Sequence, residues 1–272
     1  MMSIVGLMAT RPSLDLMSMR SVPTIRSQVR APELLVIVFD KRPAREDEIA
    51  RLRLLAYPIP VEVLHNQKNL GAAGCWNTGI QWIAQHHPAS YIAILDDDDT
   101  WDRNHLEVCW ESAVQQHWPD IIVSGLRRRM DGKNHVDSLP ARLRSQDFLT
   151  GNPGWQGSNT FVKAQTLARV GGFTNGLCSC NDRDLAIRLL DSPGISLAFT
   201  GVRTVTWYCN ERPEALSAPG SPVKLNGLAH FLLMYRHRMD QAQQQAFFQR
   251  AEKLFHFSQA QIIHQMNALP LP

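Results

Sequence analysis

Four consecutive acids, Asp96-Asp97-Asp98-Asp99, follow the apolar run Tyr91–Leu95. Side chains alternate along an extended chain, so Asp96 and Asp98 are expected to project the same way. Carboxylates this close repel one another, and either protons or a cation must compensate them. An all-oxygen donor set suits a hard divalent ion, Mg²⁺ or Mn²⁺. The competing use is a solvated acidic turn in which Asp102 or Asp99 caps a helix that starts near Arg103.

Further candidates close other apolar runs. Thr10-Arg11-Pro12 ends the first run, and Arg11 can pair with a phosphate or stack on a base. Asp40 ends Leu34–Phe39, where an acid can accept hydrogen bonds from a base or a ribose, or serve as a turn residue before Pro43. The segment Asn69-Leu70-Gly71-Ala72-Ala73-Gly74-Cys75-Trp76-Asn77-Thr78-Gly79 puts small residues and free amides at a helix start. That favours close approach and an anion, or else tight helix packing. It is neither Gly-x-Gly-x-x-Gly nor a P-loop, so no dinucleotide or Walker site follows. Asn181-Asp182-Arg183-Asp184 puts acids at another helix start, where Asp182 can take a proton from a hydroxyl or act as an ordinary cap.

These residues need elements to position them. Ser3–Ala9, Leu34–Phe39, Val61–Leu64, Tyr91–Leu95 and Ile121–Ser124 read as buried strands. Helical patterns lie between them: Ser13–Gln28, broken at Pro23, then Ala44–Leu55, Ala72–Gln85 and Arg103–His117. Strands alternating with helices predict an α/β fold with a mostly parallel sheet, and ligands beyond the carboxyl ends of its strands. Later come a Pro- and Gly-rich loop at Asn152–Gly157, a strand at Asn159–Lys163 and helices at Ala164–Val170 and Asp182–Leu190. Ile195–Phe199 and Val202–Tyr208 read as two more strands, and Asn210–Pro222 as a loop able to act as a lid. The expected division is a main domain over 1–222 and a helical extension over 223–272.

Composition agrees with a globular chain. The protein has 272 residues, 44% of them hydrophobic and 19% charged, which excludes a disordered or fibrous protein. A net charge of +3 is too small to imply nucleic-acid binding. The five cysteines are odd in number and irregular in spacing, so a disulfide framework or zinc site is not expected and a reducing cytoplasm fits. The apolar start reaches Arg11-Pro12 too soon for a secretory signal, and no run approaches a membrane span.

Taken together, the motifs resemble the family 2 glycosyltransferases, which have the GT-A fold. The resemblance covers about residues 3 to 210. Val36-Ile37-Val38-Phe39-Asp40 is similar to the strand whose closing acid meets the nucleotide base. Asn69 to Ile80 is similar to an Asn-x-Gly…Asn-x-Gly segment. Tyr91 to Trp101 is similar to Leu-Asp-x-Asp-Asp-x-Trp, and Val170-Gly171-Gly172-Phe173 with Asn181-Asp182 to Gly-Gly-Phe…Glu-Asp. The chain departs from the family after Thr10, where Pro-Thr-Tyr-Asn-Arg is missing, and at Asn181, which stands in place of Glu.

The resemblance implies a nucleotide-diphosphate sugar as donor, with Thr10, Arg11, Asp40, Asn69, Gly71, Asn77, Asp96 and Asp97 around it. It implies Mn²⁺ or Mg²⁺ on Asp98, and Asp182 as catalytic base of an inverting transfer. Trp155, Gln156, Gly157 and Asn181 would line the acceptor side, and Arg212 would close over the diphosphate or remain a solvated loop charge. The acceptor would be a glycan, a lipid-linked molecule or a small molecule, met in the cytoplasm or at the inner membrane face. The basic, Phe-containing tail is expected to pack on the core, with peripheral membrane contact or a homodimer as its alternatives. Two other readings stand beside this one: a sugar-nucleotidyltransferase, for which Met8–Pro12 lacks the needed Gly-rich basic segment, and a non-catalytic nucleotide-sugar-binding module. Arg127-Arg128-Arg129 reads as an exposed turn, with an anionic acceptor as its alternative partner.

Overall fold

Apolar runs separated by amphipathic ones can bury both only by stacking helices on a sheet. The computed structural model describes residues 2–11, 14–130, 132–136, 139–209 and 218–269. In chain order the elements are β1 (Ser3–Thr10), α1 (Leu14–Met19), α2 (Ser21–Arg26), β2 (Leu34–Phe39), α3 (Glu46–Ala56), β3 (Val61–His65), α4 (Ala72–His86) and β4 (Ser90–Ile94). There follow β5 (Thr100–Trp101), α5 (His105–Gln115), β6 (Ile121–Met130), β7 (Lys133–Val136), β8 (Thr160–Lys163), α6 (Ala164–Arg169), α7 (Asn181–Asp191) and β9 (Leu197–Tyr208). Three helices complete the chain: α8 (Pro222–Tyr235), α9 (Gln241–Phe255) and α10 (Gln259–Asn267).

The strands form one sheet in the order β3-β2-β1-β4-β8-β6-β9-β5, with β7 paired to β6 at the side. The first four run parallel, as expected. Six of the nine strands among the described residues run the same way, so the sheet is mostly parallel as expected, with β5, β7 and β8 running against the rest. Helix α5 carries the chain from β4 to β6 past a gap one strand wide, and β8 fills that gap antiparallel to both neighbours. The segment before β8 arrives at the carboxyl edge of β4 without a crossover helix, so β8 must run backwards.

Three local expectations are corrected. The helix expected over Ser13–Gln28 breaks at Arg20, and Pro23 sits in the first turn of α2, where a missing N–H costs no intrahelical bond. Arg127, Arg128 and Arg129 lie inside β6, paired with β7 and β9, not in an exposed turn. The two strands expected at Ile195–Phe199 and Val202–Tyr208 are one, β9, with Gly201 at φ +71°. The β6–β9 register slips at Gly125, where a Cβ would stand 2.9 Å from the Val202 carbonyl oxygen.

Alternation along the parallel strands builds a core on each face of the sheet. Ile4, Met8, Leu35, Ile37, Phe39 and Tyr91 pack toward one face. Val5, Leu7, Val36, Val38, Ile92 and Ile94 pack toward the other, in one apolar cluster with Phe231, Phe247, Ile262 and Met266 of α8 to α10. Among the described residues, no helix is long and apolar enough to cross a membrane.

Asp184, fully buried in α7, ties that face together. Its carboxylate accepts from Thr174 Oγ1 at 2.8 Å, Tyr235 Oη at 2.7 Å and Arg188 Nη2 at 2.7 Å. Removing it leaves a cation and two polar groups without their partner. Asp184→Ala is therefore expected to cost about 3–5 kcal/mol, and Tyr235→Phe about 1.5–3 kcal/mol, in urea unfolding. Equal, sub-kilocalorie effects of the two would contradict this role.

Candidate active site

The carboxyl ends of β1, β2 and β4, the turn before β8 and the start of α7 converge on one cavity of about 370 Å³. Thr10, Arg11, Asp40, Asp96, Asp97, Asp98, Gln156, Asn181 and Asp182 all lie on its wall. The sheet rule thus places most of the sequence candidates together.

The four consecutive acids have four different surroundings. The Asp96 backbone N–H donates to Ser158 Oγ at 3.1 Å. Asp97 accepts from Thr10 Oγ1 at 2.7 Å. The Asp98 carbonyl accepts from Arg20 Nη1 at 3.1 Å. Asp99 is fully buried and accepts from Ser158 Oγ at 2.6 Å and from the Tyr208 N–H at 3.1 Å. Neither Asp99 nor Asp102 caps a helix: Asp102 pairs with Arg127, and Asn104 stands at the start of α5.

Carboxylate oxygens of Asp96, Asp98 and Asp99 lie within 4.8 Å of one another. Burial pushes the pKa of Asp96 well above the ordinary carboxylate range, and the charges of Asp99 and Asp98 push it further. Burial, then Asp98, does the same to Asp99. Such a group must hold protons or a cation, and its hard oxygen donors fit a divalent ion. Sequence alternation pairs Asp96 with Asp98 but misses Asp99. The chain has already left the strand there, and the Asp99 N–H closes a turn onto the Asp96 carbonyl at 3.3 Å.

Asp182 is the second residue of α7, just after Cys180, whose left-handed φ of +64° swings the chain into the helix. Burial raises the Asp182 pKa to about 6, against the Gly157 N–H and the charge of Lys224, which lower it. Gly157 separates the acids: a Cβ there would stand 3.6 Å from Asp96 Oδ1 and 3.8 Å from Asp182 Oδ1. Asn181 is buried, and its Oδ1 accepts no hydrogen bond.

Asp40 braces the frame from the cavity wall, and Asn69, Gly71, Asn77 and Trp155 hold the frame away from it. Burial raises the Asp40 pKa, but hydrogen bonds from Asn66 (2.9 Å) and the Gly71 N–H (3.0 Å) outweigh it and leave the value lowered. Gly71, at φ +112°, thus gives its N–H to Asp40 and not to a bound anion. Asn69 is exposed, and its carbonyl accepts from Asn66 at 3.0 Å. Asn77 both donates to the Phe173 carbonyl at 2.7 Å and accepts from the Phe173 N–H at 2.8 Å, fastening the Gly171-Gly172 turn to α4. Trp155 is corrected most plainly. Its ring is 3% exposed and packs edge-on to Phe148, and its Nε1 donates to Thr160 Oγ1 at 2.8 Å, so it offers no face to a sugar. Arg212 lies outside the described residues.

The sequence reading met the far wall only at Arg128, whose alternative partner was an anionic acceptor, and missed the rest. Arg128 of β6, Tyr208 of β9, Lys224 of α8 and Arg250, Leu254 and Phe255 of α9 line the same cavity. Arg20 stacks on Tyr208, its guanidinium 3.9 Å from the ring centre. Lys224 carried one signal, a lone charge in an apolar helix, whereas Arg250 has the look of an ordinary solvated helix position.

Comparison with known proteins adds the following. The chain is 23% identical over 187 residues, 64% of its length, to a protein from Haemophilus influenzae named "Uncharacterized glycosyltransferase", and spans 62% of that relative's length. Its fold resembles S. aureus TarS 1-349 in complex with UDP-GlcNAc, at a TM-score of 0.65 and 12% identity over 95% of this chain and 74% of that one. It also resembles the mannosyltransferase PcManGT from Pyrobaculum calidifontis in complex with GDP-Man and Mn2+, at a TM-score of 0.54 and 16% identity over 98% of this chain and 73% of that one. These likenesses identify the mixed sheet and its helices as a GT-A fold. The family model described as "Glycosyl transferase family 2" matches residues 21–186, more than half of the chain and inclusive of the acids after β4 and of Asp182, so the chain belongs to glycosyl transferase family 2.

Proposed function

We propose that this chain transfers a sugar from a nucleotide-diphosphate donor to an acceptor hydroxyl, with inversion at the anomeric carbon. The observation that carries the reading is the juxtaposition at Gly157: a crowded set of carboxylates on one side and a single raised-pKa carboxylate, Asp182, on the other. The two sides suit two tasks, holding a cation against a diphosphate and receiving a proton. The UDP-GlcNAc named with S. aureus TarS and the GDP-Man and Mn2+ named with PcManGT support the donor class.

Thr10, Arg11, Asp40 and Asp97 form the end of the cavity that would receive the nucleoside. Asp96, Asp98 and Asp99 would hold Mn²⁺ or Mg²⁺, which when bound neutralises charge on the departing diphosphate. Asp182, ionised at neutral pH, takes the proton of the acceptor hydroxyl. The freed oxygen pair forms the new bond to the anomeric carbon, and the bond from that carbon to the diphosphate breaks. The nucleoside diphosphate leaves with that electron pair. Gly157 holds Asp182 through its N–H and leaves space that a larger side chain would fill.

Asp182→Asn is expected to lower the transfer rate by a factor of about 10² to 10⁴ with the urea midpoint within error of wild type. Near-wild-type transfer in that variant would exclude Asp182 as the base. The base acts only when ionised. The wild-type kcat/KM should therefore fall as pH drops through about 6 and level off above it; a flat profile down to pH 4.5 would contradict the assignment. Asp98→Ala should abolish the thermal stabilisation that UDP or GDP gives in the presence of Mn²⁺, and excess chelator should abolish transfer. Full transfer in chelator would remove the cation from the reading. Release of pyrophosphate in place of nucleoside diphosphate would make the chain a nucleotidyltransferase, and nucleotide-sugar binding without turnover on any acceptor would make it a binding module.

A further inference from the structure

The wall beyond Asp182 is basic. Lys224 is 7% exposed, its Nζ donating to Ser179 Oγ at 3.1 Å and lying 4.2 Å from the centre of the Phe255 ring. Arg250 lines the same opening with Arg128, and among the described residues it makes no ion pair with a carboxylate. Burial lowers the Arg250 pKa and the charge of Arg128 lowers it further, so the two guanidinium groups feel each other. Burial likewise lowers the Lys224 pKa; Cys180 and Asp182 oppose this, and Arg183 and Arg250 add to it. Like charges gathered around one opening, only partly offset by Asp182, favour the entry of an anion.

Two further observations point the same way. Asn181, which the resemblance sets in place of Glu, removes a negative charge from this wall, and its buried Oδ1 has no donor. A second hollow of about 270 Å³, lined by Gln249, Arg250, Lys253 and Leu254, shares Arg250 and Leu254 with the cavity. The basic strip therefore continues along α9, with Lys253 one turn beyond Arg250. Lys224, Arg250 and Lys253 all fall outside residues 21–186, the segment that the family model matches.

We propose that the acceptor is anionic. A phosphate or carboxylate group near the reacting hydroxyl is held by Lys224 and Arg250, with Arg128 beside them, and the rest of the molecule runs along α9 past Lys253. This rests on the reading of Asp182 as the base that receives the acceptor's proton. Arginine and lysine suit the task because both donate to oxyanions and keep their charge at neutral pH. The donor's diphosphate has its own countercharge in the cation expected at Asp96, Asp98 and Asp99.

The test is a calorimetric titration of the full chain, already saturated with UDP and Mg²⁺, with inorganic phosphate in one arm and glucuronate in the other. Saturable binding in either arm, weakened at least tenfold by Arg250→Gln and little changed by Lys253→Gln, since Lys253 faces only the rest of the acceptor, is the expected result, and the tighter arm identifies the oxyanion. Both residues are exposed overall, with only the Arg250 guanidinium tucked against Gly151, so the variants should fold, and their UDP affinity should match wild type. Phosphate that competes with UDP, or a variant that loses UDP affinity, would assign these cations to the donor and overturn the proposal. Binding unchanged by Arg250→Gln would mean an adventitious ion only, and no binding in either arm would also overturn it. Failure of UDP to bind, with Arg250-dependent phosphate binding retained, would count against the transferase reading while upholding the anion site.

Discussion

Carboxylates that cannot move apart are the constraint on which this site rests. β4 is buried along its whole length, so its end is fixed, and the turn that follows folds Asp99 back beneath Asp96. Ser158 and the Tyr208 N–H hold Asp99 in place, and Thr10 holds Asp97. Asp97 and Asp99 therefore cannot relieve the repulsion by rotating into water. Burial raises the energy of the charged, cation-free state, which is the physical basis for proposing a positive ion there.

The rest of the fold serves this edge. β8 enters the sheet backwards, and its entry turn lays Gly157 between Asp96 and Asp182. α7 is fixed from below by Asp184 and from the side by Arg183, whose guanidinium donates to the Phe148 and Leu149 carbonyls and lies 3.8 Å from the Phe231 ring centre. Burial lowers the Arg183 pKa to about 10, still far above neutrality, so the contact keeps its charge. Asp182 immediately precedes these two anchored residues, and its position is thus set by packing that begins in α8 and α9. The C-terminal helices are part of the active-site wall as well as of the core.

Much of this was legible in the sequence, for a physical reason. Strands buried on both faces are continuous apolar runs, so their ends are visible, and α/β sheets put ligands at those ends. Asp40, the acids after β4 and Thr10 followed from that alone. The failures also have causes. Trp155 stands in a Pro- and Gly-rich loop, which suggested exposure, but Thr160 gives its Nε1 an internal partner and the ring goes into the core. Asn77 lies in a segment that suggested ligand contact, yet its amide matches a backbone N–H and carbonyl that only the tertiary fold brings to it. Arg128, Lys224 and Arg250 come from three elements far apart in the chain, and no local pattern announces that they share an opening.

The most direct measurement is a crystal structure with Mn²⁺ and UDP or GDP, read through the anomalous signal of manganese. The account predicts a single strong peak at metal–oxygen distance, about 2.0–2.3 Å, from carboxylate oxygens of the Asp96, Asp98 and Asp99 group, with the diphosphate on its open side. A peak elsewhere, or those carboxylates turned into solvent beside a bound nucleotide, would contradict it.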